Sequence, residues 1–231
     1  MSGLHQFLFG IYPYIALAIF LLGSLVRFDR EQYTWKSDSS EMLRRGQLRW
    51  GSNLFHLGIL MLFGGHFVGL LTPKEVYHAI GLSTQGKQII AMAAGGFAGT
   101  LCLVGIALLL HRRHSEPRVR ANSRTMDFVV LYWILVTLLL GLVSIVASLA
   151  HLDGSVMVAL SHWAQHLLTF RGDAAGFIVN VPLIYKIHLF FGMTLFILFP
   201  FSRLVHVWSG FASVAYVARP YQIVRRRGAA R

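Results

Sequence analysis

The sequence predicts an all-α integral membrane protein, a bundle of five transmembrane helices. Three observations carry that prediction. Only 13% of the 231 residues are charged, about half of the roughly 25% found in soluble proteins. Hydrophobic residues make up 55% of the chain and the mean hydropathy is +0.60, which leaves too little polar surface to cover a water-soluble globule. Five stretches reach the about 20 apolar residues needed to cross roughly 30 Å of hydrocarbon.

The first stretch, residues 7–27, is free of Asp, Glu, Lys and Arg until Arg27 at its boundary. No Lys or Arg precedes it, so it lacks the positive leading region of a signal peptide and is expected to remain as a helix. The second, third and fourth, at 51–71, 88–110 and 128–150, contain no such residue at all. The fifth, 183–208, carries Lys186 and Arg203 near its ends, where long side chains reach the headgroups. Pro200 removes the hydrogen bond to the carbonyl of Phe196, so a kink is expected there.

Segment 28–50 with Arg27 holds six basic residues and 111–127 holds five, whereas the opposite loops have only Lys74, Lys87 and Arg171. The excess of positive charge marks the cytoplasmic side, which puts the N-terminus outside and the C-terminus, with its arginine-rich tail 209–231, inside. No loop is long enough for a further domain, so residues 1–231 read as one membrane domain. Within the longest loop, Leu160–Leu168 reads as a short helix on the membrane surface.

The net charge of +12 would suggest nucleic acid in a soluble chain. Here the basic residues sit in blocks at the ends of uncharged stretches, which points to topology and lipid headgroups and excludes a nucleic-acid role. The single cysteine, Cys102, excludes an intrachain disulfide and an iron-sulfur cluster held by this chain alone, and its apolar surroundings read as core.

Seven of the eleven histidines fall in loops or at helix ends, where hydration explains them; His162 and His166 at i, i+4 lack an evident third metal ligand. His56 and His66 in the second stretch and His188 and His206 in the fifth are different, because ionisable groups at membrane depth are costly and usually functional. Neutral imidazole is a strong haem-iron ligand, and facing helices can each supply one axial histidine per haem. Two pairs would ligate two b haems, while the lack of C-x-x-C-H excludes covalent attachment. The second stretch runs outward and the fifth inward, so His66 pairs with His188 and His56 with His206. The axial separations disagree, at roughly 15 Å and roughly 27 Å on ideal helices, so tilt or bending must absorb the difference. Gly58, Gly64, Gly65, Gly69 and Gly192 flank the candidate ligands and could admit a porphyrin; Gly65–Gly69 and Gly95–Gly99 are also small-xxx-small patterns that close helix packing would explain. Arg49, Arg112 and Arg203 at the inner boundary are candidate cations for haem propionates.

The strings Ser52-Asn-Leu-Phe-His56-Leu-Gly-Ile-Leu60, Gly65-His66-Phe67 with Leu71-Thr-Pro73, and Phe199-Pro-Phe-Ser-Arg-Leu-Val-His206-Val-Trp208 resemble the gamma subunit of respiratory nitrate reductase. The likeness continues through Ile11-Tyr-Pro-Tyr14, Tyr33-Thr-Trp35, Pro117-Arg-Val-Arg-Ala121 and His151-Leu-Asp-Gly-Ser155, covering nearly the whole chain in order. The resemblance implies a five-helix dihaem cytochrome b of the cytoplasmic membrane. It implies that His66 and His188 hold a distal haem and His56 and His206 a proximal one. Quinol would be oxidised near the distal haem, around Gly65, His66, Gly69 and Lys87, and protons released outside. Electrons would pass to an iron-sulfur beta subunit and on to a molybdenum-containing alpha subunit where nitrate is reduced, with no nitrate-reducing site in this chain. The basic inner segments would then serve as the docking surface for the beta subunit. Two other readings keep the four histidines: a dihaem cytochrome serving a different reductase or dehydrogenase, and a haem-free transporter using histidines as proton relays.

Overall fold

The structure, a computed structural model, describes residues 2–31, 34–35, 43 and 45–209. The arginine-rich tail from 210 and much of the basic segment 28–50 lie outside the described residues. In chain order the helices are α1 (Gly3–Arg30), α2 (Arg45–Leu71), α3 (Lys74–Ala79), α4 (Thr84–Ser115), α5 (Pro117–Ala121), α6 (Thr125–Ser148), α7 (Ser155–Leu168) and α8 (Leu183–Leu198), and there is no strand among the described residues. Five of them, α1, α2, α4, α6 and α8 with its following turn, are long and apolar enough to cross a membrane.

The spanning helices start and stop where backbone chemistry allows. Ser83 accepts from the amide of Gly86 at 3.0 Å and opens α4, just after a turn in which Gly81 takes φ +80°, a conformation that favours glycine. The last turn of α4 carries Arg112, Arg113 and His114, cations that suit the negative end of the helix dipole, so α4 runs past the expected 110. At the start of α6 the Asp127 carboxylate accepts from the Arg124 amide at 2.9 Å.

The long helices form an arc in the order α2, α4, α6, α8, α1. α2 and α4 meet at backbone contact. A Cβ at Gly58 would lie 2.5 Å from the amide nitrogen of Cys102, and one at Gly105 would collide with the backbone of Phe55. Gly58, expected beside a cofactor, is therefore a packing residue, and Cys102 is fully buried core. Of the two small-xxx-small patterns, Gly95–Gly99 faces α6 through Ile145 and Leu142, whereas Cβ atoms at Gly65 and Gly69 would meet nothing within 4 Å. α4 continues onto α6 through Cys102, Ile106 and Leu110 against Val130, Ile134 and Leu138. α2 and α8, at opposite sides of the arc's opening, do not pack along one another.

At one end of the bundle α7 closes over α1, α2 and the start of α8, longer than the expected 160–168 helix; Trp163, Leu167, Ala175, Ile178 and Tyr185 form its core with Phe9. The join to α1 follows from Pro13. Proline has no amide to give the carbonyl four residues back, that of Phe9, and its ring crowds it. α1 answers by widening into a π-helical turn over Phe7–Ile11, with the Tyr12 amide reaching Phe7. The orphaned Phe9 carbonyl is taken by the indole N–H of buried Trp163 at 2.9 Å.

Pro200 acts more severely. The fifth span is expected through 208, but regular helix ends at Leu198 and the spanning segment at Phe201. The Phe196 carbonyl is met by Phe199 through a tighter turn. Ser202 is extended at φ −121° and ψ 178°, and its hydroxyl caps a new turn, Arg203–Val205. His206 thus lies beyond α8, past the break that the kink expected at Pro200 becomes.

Trp163→Phe should destabilise the fold by about 1–3 kcal/mol, the cost of a buried carbonyl left without a donor. With Pro13→Ala, which restores an amide for Phe9, the cost of Trp163→Phe should shrink; thermal unfolding of the four proteins in detergent measures the coupling.

Candidate functional site

The four membrane histidines meet across the opening of the arc as two pairs. His66 of α2 faces His188 of α8 with ring centroids 5.9 Å apart and planes at 36°. His56 of α2 faces His206 at 6.2 Å and 72°. The pairs lie ten residues apart on α2, roughly 15 Å along its axis. The break at Pro200 reconciles that spacing with the roughly 27 Å that 18 residues of uninterrupted helix would span.

Each imidazole is held through Nδ1 by a backbone carbonyl. His56 donates to Ser52 and His66 to Leu62, both at 2.7 Å and both one turn back on α2. His206 donates to Arg203 at 2.6 Å in its own turn. His188 donates across to Thr137 of α6 at 3.0 Å. A proton on Nδ1 leaves the Nε2 lone pair as the metal-binding one, the arrangement that orients and tunes ligating histidines. A ring nitrogen lies about 1.1 Å from its centroid and bonds a first-row metal at about 2.0–2.1 Å, so two imidazoles on one metal should have centroids about 6.3 Å apart. Both pairs fit.

Each pair stands alone. No group of three His, Cys, Asp or Glu positioned for a metal ion occurs among the described residues. A metal at either level would have two protein ligands among the described residues. The glycines of α2 and α8 leave open space: at Gly64, Gly65, Gly69 and Gly192 a Cβ would meet nothing within 4 Å. Gly141 of α6 does the opposite. A Cβ there would lie 3.0 Å from Cε1 of His188, so the bare position is what lets the ring approach the Thr137 carbonyl, which a side chain four residues on would cover. Gly141 and Thr137 escaped the sequence reading because a glycine and a threonine in an apolar helix carry no signal of their own.

Lys87, buried at 9% exposure, donates to the Gly69 carbonyl at 3.0 Å and the Thr72 carbonyl at 3.4 Å, with its ammonium 4.2 Å from the centre of the Tyr77 ring. It caps the end of α2 one turn from His66. Ser161 and Gln165 of α7 add bonds to the neighbouring Leu70 carbonyl at 2.7 and 3.1 Å. Behind Lys87 is a cavity of about 10 Å³ reaching Ser161, His162 and Gln165, far too small for a quinol ring.

The three candidate arginines are placed differently. Arg49 is exposed on α2, two turns before His56 and on the same face. Arg112 is buried and donates to the Leu43 carbonyl. Arg203 grips Asp127 with two nitrogens. His162 and His166 pack edge to face with centroids 6.4 Å apart, and His166 bonds Asp173 at 2.8 Å. That bond holds the Asp173 carboxyl below its ordinary range and completes the fold of the surface turn.

Residues 5–227 match the family described as nitrate reductase gamma subunit. The chain is 50% identical over 227 residues to respiratory nitrate reductase 1 gamma chain of Escherichia coli, covering 98% of this chain and all of that one. It is 37% identical to the nitrate reductase gamma chain of Bacillus subtilis over the same shares. It is 33% identical to a nitrate reductase-like protein, NarX, of Mycobacterium tuberculosis, matching 94% of this chain but 33% of that longer protein. With the match running from the first helix into the tail and through both histidine pairs, the chain belongs to the nitrate reductase gamma subunit family.

Proposed function

We propose that this chain is the dihaem cytochrome b of a respiratory nitrate reductase, a single membrane domain that oxidises quinol and passes the electrons to partner subunits. The observation that supports it best is the pair of imidazole couples at bis-ligand spacing, each ring held by a carbonyl on Nδ1. His66 and His188 hold the distal haem, His56 and His206 the proximal one. When bound, the two haems carry electrons one at a time between the ends of the bundle.

The residues of this chain divide the remaining work. Gly65 and Gly69 carry no side chain beside His66, and Lys87, anchored on Gly69 and Thr72, sets a positive charge at that end of α2 that would draw a quinol oxygen. Quinol gives up two electrons and two protons, and its quinone leaves. The α7 end lies outside, so the protons are released there; the basic end, with the N-terminus opposite and the C-terminus beside it, is cytoplasmic. Each electron crossing inward stores at most about 2.3 kcal/mol per 100 mV of membrane potential. At the inner level Arg49, two turns from His56, is the best-placed propionate cation; Arg112 and Arg203 already serve Leu43 and Asp127. The basic segments would dock an iron-sulfur beta subunit, which would hand the electrons on to a molybdenum-containing alpha subunit where nitrate is reduced. The complex sits in the cytoplasmic membrane.

A reduced-minus-oxidised spectrum with haem quantitation should give two b haems per chain, falling to one in His66→Ala; a colourless wild type would overturn the reading. The plane angles of 36° and 72° predict that the proximal haem has the more anisotropic low-spin ferric EPR signal, because g anisotropy grows as two axial imidazoles turn toward perpendicular. Gly141→Ala should lower distal haem affinity by about 10–100-fold, the cost of disturbing a ligand's supporting contacts, and leave the proximal signal intact.

A further inference from the structure

His206 differs from the other three histidines in what holds its carbonyl acceptor. Ser52, Leu62 and Thr137 sit inside long helices, whose own ladders fix the direction of each carbonyl. Arg203 opens a three-residue turn after an extended residue, and its carbonyl accepts the His206 amide in that tight turn rather than within a long helix. Side chains from two other elements add to the restraint. Arg27 of α1 donates to the carbonyls of Pro200 and Ser202, both at 2.7 Å, holding the peptides just before the turn. Asp127 of α6, only 5% exposed, takes the Arg203 guanidinium in a two-pronged grip.

The Asp127 carboxylate is itself held firmly. It accepts from the Arg124 amide at 2.9 Å and from Arg113 at 3.3 Å. Arg113 is steadied by the Ser123 hydroxyl at 2.7 Å, which in turn bonds the Val119 carbonyl at 2.7 Å. A buried carboxylate needs such partners. What topology does not require is that one of them be the residue whose carbonyl takes the imidazole proton.

Given the proposed ligation of a haem by His206, we propose that Asp127 is a positioning residue for that ligand, acting through Arg203, whose side chain it clamps and whose carbonyl aims the His206 ring. The clamp sets the plane of His206 against His56 and the strength of the Nδ1–H···O=C bond, and through both the potential of the proximal haem. Loosening that bond makes the imidazole less electron-donating, and loss of the carboxylate removes a negative charge near the iron; both favour the reduced form.

The test uses the full chain carrying its haems, with redox titration and low-temperature EPR. Asp127→Asn should raise the proximal potential and shift the proximal g anisotropy while the distal haem keeps its wild-type potential and signal; Asp127→Glu should restore part of the shift. Arg203→Lys keeps the charge but loses the two-pronged grip, so it should shift the proximal EPR signal the same way and serves if Asp127→Asn does not accumulate. Wild-type EPR signals and potentials at both haems in Asp127→Asn and Arg203→Lys would overturn the proposal, as would equal disturbance of both haems. His206→Ala is the control for the reading beneath it: retention of two haems there would overturn the ligation itself, and loss of the proximal haem alone together with unaltered Asp127→Asn signals would overturn only the positioning role.

Discussion

A carbonyl without a donor costs several kcal/mol in hydrocarbon, where no water can repair it, and the architecture turns on where such carbonyls arise. Pro13 frees Phe9, and Trp163 answers from α7. The end of α2 frees Gly69, Leu70 and Thr72, and Lys87, Ser161 and Gln165 answer from α4 and α7. The break at Pro200 frees Pro200 and Ser202, and Arg27 answers from α1. Each answer is a bond between elements far apart in sequence, so the same requirement that ends a helix also ties the bundle together.

The histidines use that chemistry in reverse. Four ring N–H groups must be satisfied at membrane depth, and each finds a carbonyl. Satisfaction and tautomer choice are one event, since the nitrogen left over is the one that can bind a metal. Glycine does two jobs around them. Gly58 and Gly105 bring α2 and α4 to backbone contact, and among the described residues no other spanning helix packs along α2 as closely. At Gly64, Gly65 and Gly192 a Cβ would meet nothing within 4 Å, and Gly141 admits the His188 ring.

Family membership and geometry support different parts of the functional reading. The first rests on identity along the whole chain and says which assembly the protein resembles. The second rests on two ring spacings and four hydrogen bonds, and would make two imidazole-ligated haems the economical reading of the opening even for a chain without relatives.

The five spans were legible in the sequence because a bilayer demands long uncharged stretches regardless of neighbours, and the four histidines were legible because ionisable groups stand out against them. Their pairing was legible too, since antiparallel helices leave one consistent match of levels. What the sequence could not reveal is which carbonyl each imidazole uses, that Gly58 packs while Gly65 does not, or that Asp127 reaches Arg203 across 76 positions. A carboxylate at the mouth of a span on a basic face was a signal, but its partner was not. The helix through 208 failed because Pro200 removes one bond, and whether a chain kinks or breaks depends on what receives the freed carbonyls; Arg27, 173 positions away, makes a full break tolerable. Local composition therefore determined which segments cross the membrane and which residues carry chemistry, whereas only the tertiary structure decided how those residues are held, because hydrogen-bond partners and steric gaps are set by helices that meet in space and not in sequence.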